Sequence, residues 1–284
     1  MVINTNVLAL NAHRALKSVG ATQAQASARL SSGLRINSAA DDAAGLAISE
    51  KMRAQIRGLD MSSKNAQDGS SMVQTAEGGM QQIDSMVQRA RELTVQAAND
   101  TNDEKDRGKI AQEMDNLFDE IESMSNRVEF NGKRLLADPS GTTHIYLQIG
   151  ANSGQSIQFD IGSMNLSTLG LDSLATVIKN AATAGEWTES AATIDSYLKT
   201  LDSALSSVTD ERAKLGAVQN RLDYTMKSLD ISSENLSASE SRIRDTDMAK
   251  EMMTLTKTNV LSSAATSMLA QANQMPQNVL QLLQ

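Results

Sequence analysis

The chain of 284 residues contains no cysteine, which excludes disulfides and thiolate metal sites without fixing a compartment. Freedom from thiols equally suits a protein exported unfolded, for which a stray thiol is a liability. Aromatics are scarce as well, being confined to Phe118, Phe130, Phe159, Tyr146, Tyr197, Tyr224 and Trp187. Globular cores draw much of their buried area from such side chains. The apolar mass must come instead from Ala, Leu, Ile, Val and Met, a palette that suits close helix packing. Proline occurs only at Pro139 and Pro276, so long stretches carry no strong helix breaker. No apolar run approaches the roughly eighteen residues of a membrane span. The opening Met1-Val2-Ile3-Asn4-Thr5-Asn6 lacks the basic region, apolar stretch and cleavage site of a general secretory signal. The net charge of −8 comes from interspersed acids and bases. With no basic stripe and no interleaved aromatics, nucleic acid is not an expected partner.

What is present is periodic. Over roughly 5–32, Ala9, Ala12, Leu16, Val19, Ala26 and Leu30 make a thin, Ala-rich helical stripe ending near Gly33, a residue suited to a left-handed helix end. A connector follows, and Asp41 and Asp42 offer acceptors to the next helix start. That helix runs from about 43 to 98, with Met72, Ala76, Ile83, Met86, Ala90, Leu93 and Ala97 at three- and four-residue steps. After the turn cluster 99–103, Ile110, Met114, Leu117, Ile121, Met124 and Val128 keep the same rhythm up to Asn131-Gly132. The period then changes to two. Ile145, Leu147 and Ile149 alternate with polar residues, as do Ile157, Phe159 and Ile161, with a Gly/Asn loop between them, which reads as a β-hairpin. Residues 163–189 are mixed and Gly-punctuated. Beyond them Ile194, Leu201, Val208, Leu215, Leu222, Leu229, Leu236 and Ile243 recur every seven residues without a polar exception, a coiled-coil row. A helix of about fifty residues spans roughly 75 Å. Its companion phase is only partly apolar, and Arg212 and Gln219 there either set register or are tolerated polar residues. A last Ala-rich helix carries Met252, Leu255, Leu261, Ala265, Met268 and Ala272.

The expected fold is therefore mainly α: an elongated helical hairpin or coiled-coil bundle with one small β-hairpin near 144–161. Residues 1–40 with 246–284 form a terminal coiled-coil domain, 41–162 with 190–245 a helical rod, and 163–189 a short connector. The chain folds back on itself, the first helix meeting the last. Rod-core positions are Leu201, Leu215, Leu222, Leu229, Leu236 and Ile243. No phosphate-cradling loop, nucleophile elbow or zinc signature occurs. Asp41 and Asp42 read as helix caps rather than paired catalytic acids. His13 and His144 lie on different elements, and the methionines read as core filler. No enzyme, cofactor or metal is expected.

Several segments resemble bacterial flagellin. They are Ile3-Asn4-Thr5-Asn6, the run Arg29 to Ala39, Asp41-Asp42-Ala43-Ala44-Gly45, Gln88 to Gln96, and Phe130-Asn131-Gly132. Toward the end come Leu236 to Asp245, Asp247-Met248-Ala249, Met268 to Gln274, and Pro276 to Leu280. Their order and distances from both ends extend the resemblance over roughly 1–162 and 190–284. It implies a filament subunit of the short type, with only 163–189 where many members insert outer domains.

The resemblance implies further roles. Terminal helices, disordered in the free monomer, would order on assembly into an open helical polymer. Ile3, Val7, Leu16, Leu30, Leu255, Leu261, Met268 and Leu280 are the implied polymerisation residues. The N-terminal segment would act as a type III export signal, and the C-terminal helix would bind an export chaperone. Filament cap and hook-junction proteins would be further partners. Arg89, Leu93 and Glu113 match the site read by the host flagellin-sensing Toll-like receptor. A hook–filament junction protein is the alternative within structural proteins, and the full Gln88 to Gln96 run favours flagellin over it. A chemoreceptor-like signalling hairpin would want a membrane segment and an all-helical tip.

Overall fold

The computed structural model describes residues 6–137 and 141–282, with side chains up to residue 275. Six helices and four short strands follow in order: α1 (Val7–Ser32), α2 (Ala43–Ala97), α3 (Glu104–Arg127), β1 (Glu129–Phe130), β2 (Lys133–Arg134), β3 (Thr142–Gln148), β4 (Ser156–Gly162), α4 (Asp172–Ala184), α5 (Ala191–Arg244) and α6 (Met248–Leu282). The mainly helical architecture with a small antiparallel hairpin is the one the periodicities give. Pro139 lies outside the described residues.

Local chemistry sets the boundaries. Asn6 caps α1 by accepting from the Ala9 N–H at 3.0 Å. Gly33 closes α1 in the left-handed conformation, φ 73°, and donates its N–H to the Arg29 carbonyl. Asp103 caps α3, whose first turn carries Glu104 and Asp106 and whose last carries Arg127, matching the helix dipole. Asn131 and Gly132, at φ 50° and 76°, form the two-residue turn of the β1–β2 hairpin, a twist Asn-Gly suits.

The chain divides into two compact units, Met1–Ile56 with Glu234–Gln284 (the terminal unit) and Arg57–Ser233 (the central unit). The expected terminal domain, 1–40 with 246–284, falls wholly inside the first, and 163–189 inside the second. Helices α2 and α5 contribute residues to both.

The central unit holds one continuous apolar core. From α2 it takes Met72, Val73, Ala76, Met80, Ile83, Val87, Ala90, Leu93 and Ala97, and from α3 Ile110, Met114, Phe118 and Ile121. The β3–β4 hairpin adds Ile145, Ile157, Phe159 and Ile161, paired in register with Ile145 opposite Phe159. The seven-residue row of α5 is buried from Ile194 through Leu201, Val208, Leu215, Leu222 and Leu229. Leu236 and Ile243, in the terminal unit, are half-buried.

Within the central unit α2 and α5 run antiparallel, held by a polar ladder. Arg91 pairs with Asp202 at 2.6 Å. Arg212 reaches Asp84 and Glu77 at 3.5 and 3.6 Å. Ser63 donates to Asp230 and Ser233 to Asp60. The seam position that broke the apolar pattern thus carries an α2–α5 ion pair.

Residues 163–189 hold α4, which sequence periodicity did not reveal. Leu174, Ile178 and Ala181 bury one face of it, and Trp187 is the largest fully buried side chain. Nearby Arg107 is buried, bonding the carbonyls of Glu189 and Asn99 and pairing with Asp100 at 3.0 Å. Glu211 on α5 anchors the hairpin end by accepting from Gly162 N–H at 2.8 Å while holding Lys214 at 2.8 Å.

Two adjacent glycines of α2 face different surroundings. A Cβ at Gly78 would meet nothing within 4 Å, whereas one at Gly79 would lie 2.6 Å from Val128 Cγ2. Gly78→Ala is expected to stabilise the protein by about 0.5–1 kcal/mol through backbone entropy. Gly79→Ala should destabilise it by about 1–3 kcal/mol through overpacking. Denaturant titration of both variants checks the opposite signs.

Candidate assembly surface

In the terminal unit α1 and α6 lie antiparallel. Asn6 donates to the Ala272 carbonyl at 2.8 Å, Gln23 to Asn259 at 2.8 Å, and Arg29 pairs with Glu251 at 3.8 Å. The turns after α1 and before α6 are stitched together. Leu34 bridges Asp245, the Arg35 N–H donates to Arg244 O at 2.6 Å, and Thr246 N–H to Gly33 O at 3.0 Å. The Arg35 guanidinium also binds the Ile243 carbonyl. Arg244, itself buried, reaches Glu50 on α2 at 2.5 Å.

The two aspartates before α2 divide the capping work. Asp42 Oδ1 accepts from the Gly45 N–H at 2.9 Å, capping α2. Asp41 folds the connector, its Oδ2 accepting from the N–H groups of Asn37 and Ser38 and the Ser38 hydroxyl, and its Oδ1 from Gln25. These donors, Ser38 N–H foremost, hold the Asp41 carboxyl below its ordinary 3.8.

The unit buries little. Among the described residues its buried apolar side chains are Ala26, Ile36 and Ala272; the rest of the described buried apolar set belongs to the central unit. Buried Ser49 and Thr258 return their hydroxyls to carbonyls of their own helices. Large apolar groups face outward instead. Val7, Leu8 and Leu10 are 56–60 % exposed on α1, and Val260 and Met268 each 65 % on α6, with Met252, Met253, Leu261 and Met275 also exposed. A shallow depression of about 150 Å³ between the helices is lined by Leu8, Ala12, Met268, Gln271, Ala272 and Met275. Single exposed apolar residues are ordinary, but Leu8, Met268 and Met275 gathered around one apolar depression on two paired helices are the kind of grouping that marks an interaction surface.

The residues implied by the resemblance separate into groups. Val7, Leu261 and Met268 are exposed, while Leu16, Leu30 and Leu255 are half-buried. Ile3 and the Leu280 side chain lie outside the described residues. Leu8, Leu10, Met253 and Val260 were not singled out. Their signal was the spread of apolar residues around the terminal helices beyond one stripe.

A second cluster lies on the central unit. Arg89 donates through Nε and Nη2 to Glu113 Oε1 at 3.1 and 2.7 Å, and through Nη1 to Glu92 at 3.0 Å. Glu113 first and Glu92 second raise the guanidinium pKa further. Both Arg89 and Glu113 are half exposed at the side chain. Leu93 is 2 % exposed and belongs to the core. Of the three matched residues, therefore, Arg89 and Glu113 present atoms to the outside and Leu93 supports the helix beneath them.

His144 faces Asp160 across the hairpin at 2.6 Å, and His13 lies on α1. Among the described residues no group of three His, Asp or Glu is placed to hold a metal. No described helix is long and apolar enough to cross a membrane.

A helical protein that completes one core and leaves paired end helices uncovered belongs to the class of assembling structural subunits. The comparisons give the family. The model of the bacterial flagellin N-terminal helical region matches residues 3–140, and that of the C-terminal helical region residues 198–283. The chain belongs to the bacterial flagellin family, and it is a subunit of the extracellular flagellar filament. It is 50 % identical over 284 residues to a flagellin of Halalkalibacterium halodurans, and 50 % over 303 residues to one of Bacillus subtilis, covering the whole of both chains in each case. Among solved structures FlgL of Bacillus cereus is similar, with TM-score 0.53 and 17 % identity, covering 66 % of this chain and 97 % of that one. That likeness concerns the fold alone.

The connector gives a pH test. The folded Asp41 carboxyl ionises below its unfolded value of 3.8, so its contribution is complete above that pH and disappears as pH falls through the lower folded value. Protection of the amides of residues 35–42 against exchange, relative to the intrinsic rate at each pH, should fall only in that acid range in the parent chain, but already at neutral pH in Asp41→Ala.

Proposed function

We propose that this chain builds the filament by burying the outward apolar faces of α1 and α6 against neighbouring copies. The observation that carries this reading is the contrast, among the described residues of the terminal unit, between the buried Ala26, Ile36 and Ala272 and the many exposed Val, Leu and Met side chains. Burying one such side chain is worth about 1.5–3 kcal/mol, so a handful per contact supplies tertiary packing of the kind from which helices in proteins draw most of their stability. A contact that does not close on itself gives an open helical polymer.

The same marginal helices suit export in an unfolded state, with the N-terminal segment as the type III signal and α6 held by an export chaperone until assembly. Filament cap and hook-junction proteins are further partners of this surface. The role is purely structural, without catalysis. A host Toll-like receptor would read the Arg89–Glu113 pair on the helix surface, with Leu93 acting from beneath. The resemblance over Gln88 to Gln96 supports that assignment.

Seeded elongation tests the assembly surface. Removal of residues 1–30 or 255–284 should leave the central unit melting cooperatively while abolishing elongation. Val260→Asp should reduce elongation at least about tenfold, the loss of one buried apolar contact plus a desolvated charge. Filaments growing at the parental rate from either truncation would overturn the reading.

A further inference from the structure

With no cysteine in the chain, methionine is its only sulfur, and the described methionines range from buried through half-buried (Met52, Met86, Met124 and Met226) to exposed. Met72, Met80, Met114 and Met164 are buried in the central core. Of the six described methionines that stand exposed, Met61 is on α2, and Met248, Met252, Met253, Met268 and Met275 are all on α6. Met268 and Met275 line the apolar depression facing Leu8 and Ala12. We infer that the α6 methionines are a modification site for two-electron oxidants of the peroxide class, and that sulfoxide formation there turns off the assembly face of the free subunit. The second half rests on the assembly reading above.

The chemistry is an oxygen transfer. A methionine sulfur lone pair attacks one peroxide oxygen, an S–O bond forms as the O–O bond breaks, and the remaining oxygen leaves with both protons as water. Sulfur loses two electrons and peroxide gains them. No thiol on the chain competes for the oxidant. The product exchanges a flexible apolar side chain for a polar one with a strong acceptor oxygen. On a face that must desolvate against a neighbour, each such oxygen is a buried acceptor without a donor. Exposure favours α6, where five of the six exposed described methionines lie, while packing shields Met72, Met80, Met114 and Met164 in the central core. Oxidation should therefore abolish assembly and leave the central fold intact. Methionine sulfoxide reduction reverses it.

The test treats the soluble full-length chain with hydrogen peroxide and maps sulfoxides by peptide mass spectrometry. It then compares each chain with itself, before and after treatment, in seeded elongation. Met252, Met253, Met268 and Met275 should oxidise at least about tenfold faster than Met80 and Met114, following access to the sulfur. Elongation should fall in step with sulfoxide at Met268 and Met275, with thermal melting of the central unit unchanged. A chain carrying Met248→Leu, Met252→Leu, Met253→Leu, Met268→Leu and Met275→Leu should show no peroxide dependence, whatever its starting rate. Equal oxidation of core and α6 methionines in the monomer would overturn the site by itself, independently of assembly. Undiminished elongation of a chain oxidised at Met268 and Met275 would overturn the switch. Failure of the untreated chain to elongate seeds would instead count against the assembly reading.

Discussion

Apolar burial available within one copy of the chain is the constraint on which the structure depends. Two Ala-rich helices can cover only a narrow stripe of each other. Among its described residues the α1–α6 pair buries the apolar side chains of Ala26 and Ala272 and leaves Val7, Leu8, Val260 and Met268 in solvent. Backbone hydrogen bonds between the turns at Gly33–Arg35 and Arg244–Thr246 tie the two chain ends together, but such bonds contribute only about 1 kcal/mol each. The central unit meets the constraint differently. It brings α2, α3, α4, α5 and the β3–β4 hairpin around a shared core.

Polar side chains supply what an Ala-, Leu- and Met-rich core lacks, which is a fixed register. A row of similar aliphatic residues can slide by a heptad at modest cost. Along α2 and α5 of the central unit, Asp60 with Ser233, Ser63 with Asp230, Arg212 with Asp84 and Glu77, and Arg91 with Asp202 all satisfy one antiparallel alignment. Each exposed pair adds little stability. A heptad slip would break them all together, so their value is in specifying the alignment. Arg107, Glu211 and the Leu136 carbonyl, which accepts from Ser125, Ser163 and the Met164 N–H, fix the shorter elements in the same way.

Periodicity carried most of the fold. The helix expected over about 43–98 is α2, Ala43–Ala97, and the alternating runs around the Gly/Asn loop are β3 and β4. The seven-residue row marked the buried side of α5. Two elements escaped. In α4 and its flanks, Leu169, Leu171, Leu174, Ile178 and Trp187 reach the core from short segments pointing in several directions, so no single period survives. The β1–β2 hairpin is too short to alternate, and only its Asn-Gly turn was visible. The proposed assembly surface was legible in part, because thin stripes flagged the terminal helices as incomplete. Exposed Leu10 and Val260 lay off those stripes. Leu93 fits the core rhythm as well as the motif, and burial assigns its side chain to the core.

The division between a self-sufficient central unit and a terminal unit dependent on its neighbours is tested most directly by amide hydrogen exchange, comparing monomer with filament. The account expects α1 and α6 to exchange at least about a hundredfold faster than Leu201–Leu222 of α5 in the monomer, and to become protected in the filament while α5 changes little. Terminal helices as protected in the monomer as α5, or no gain in their protection on assembly, would contradict it.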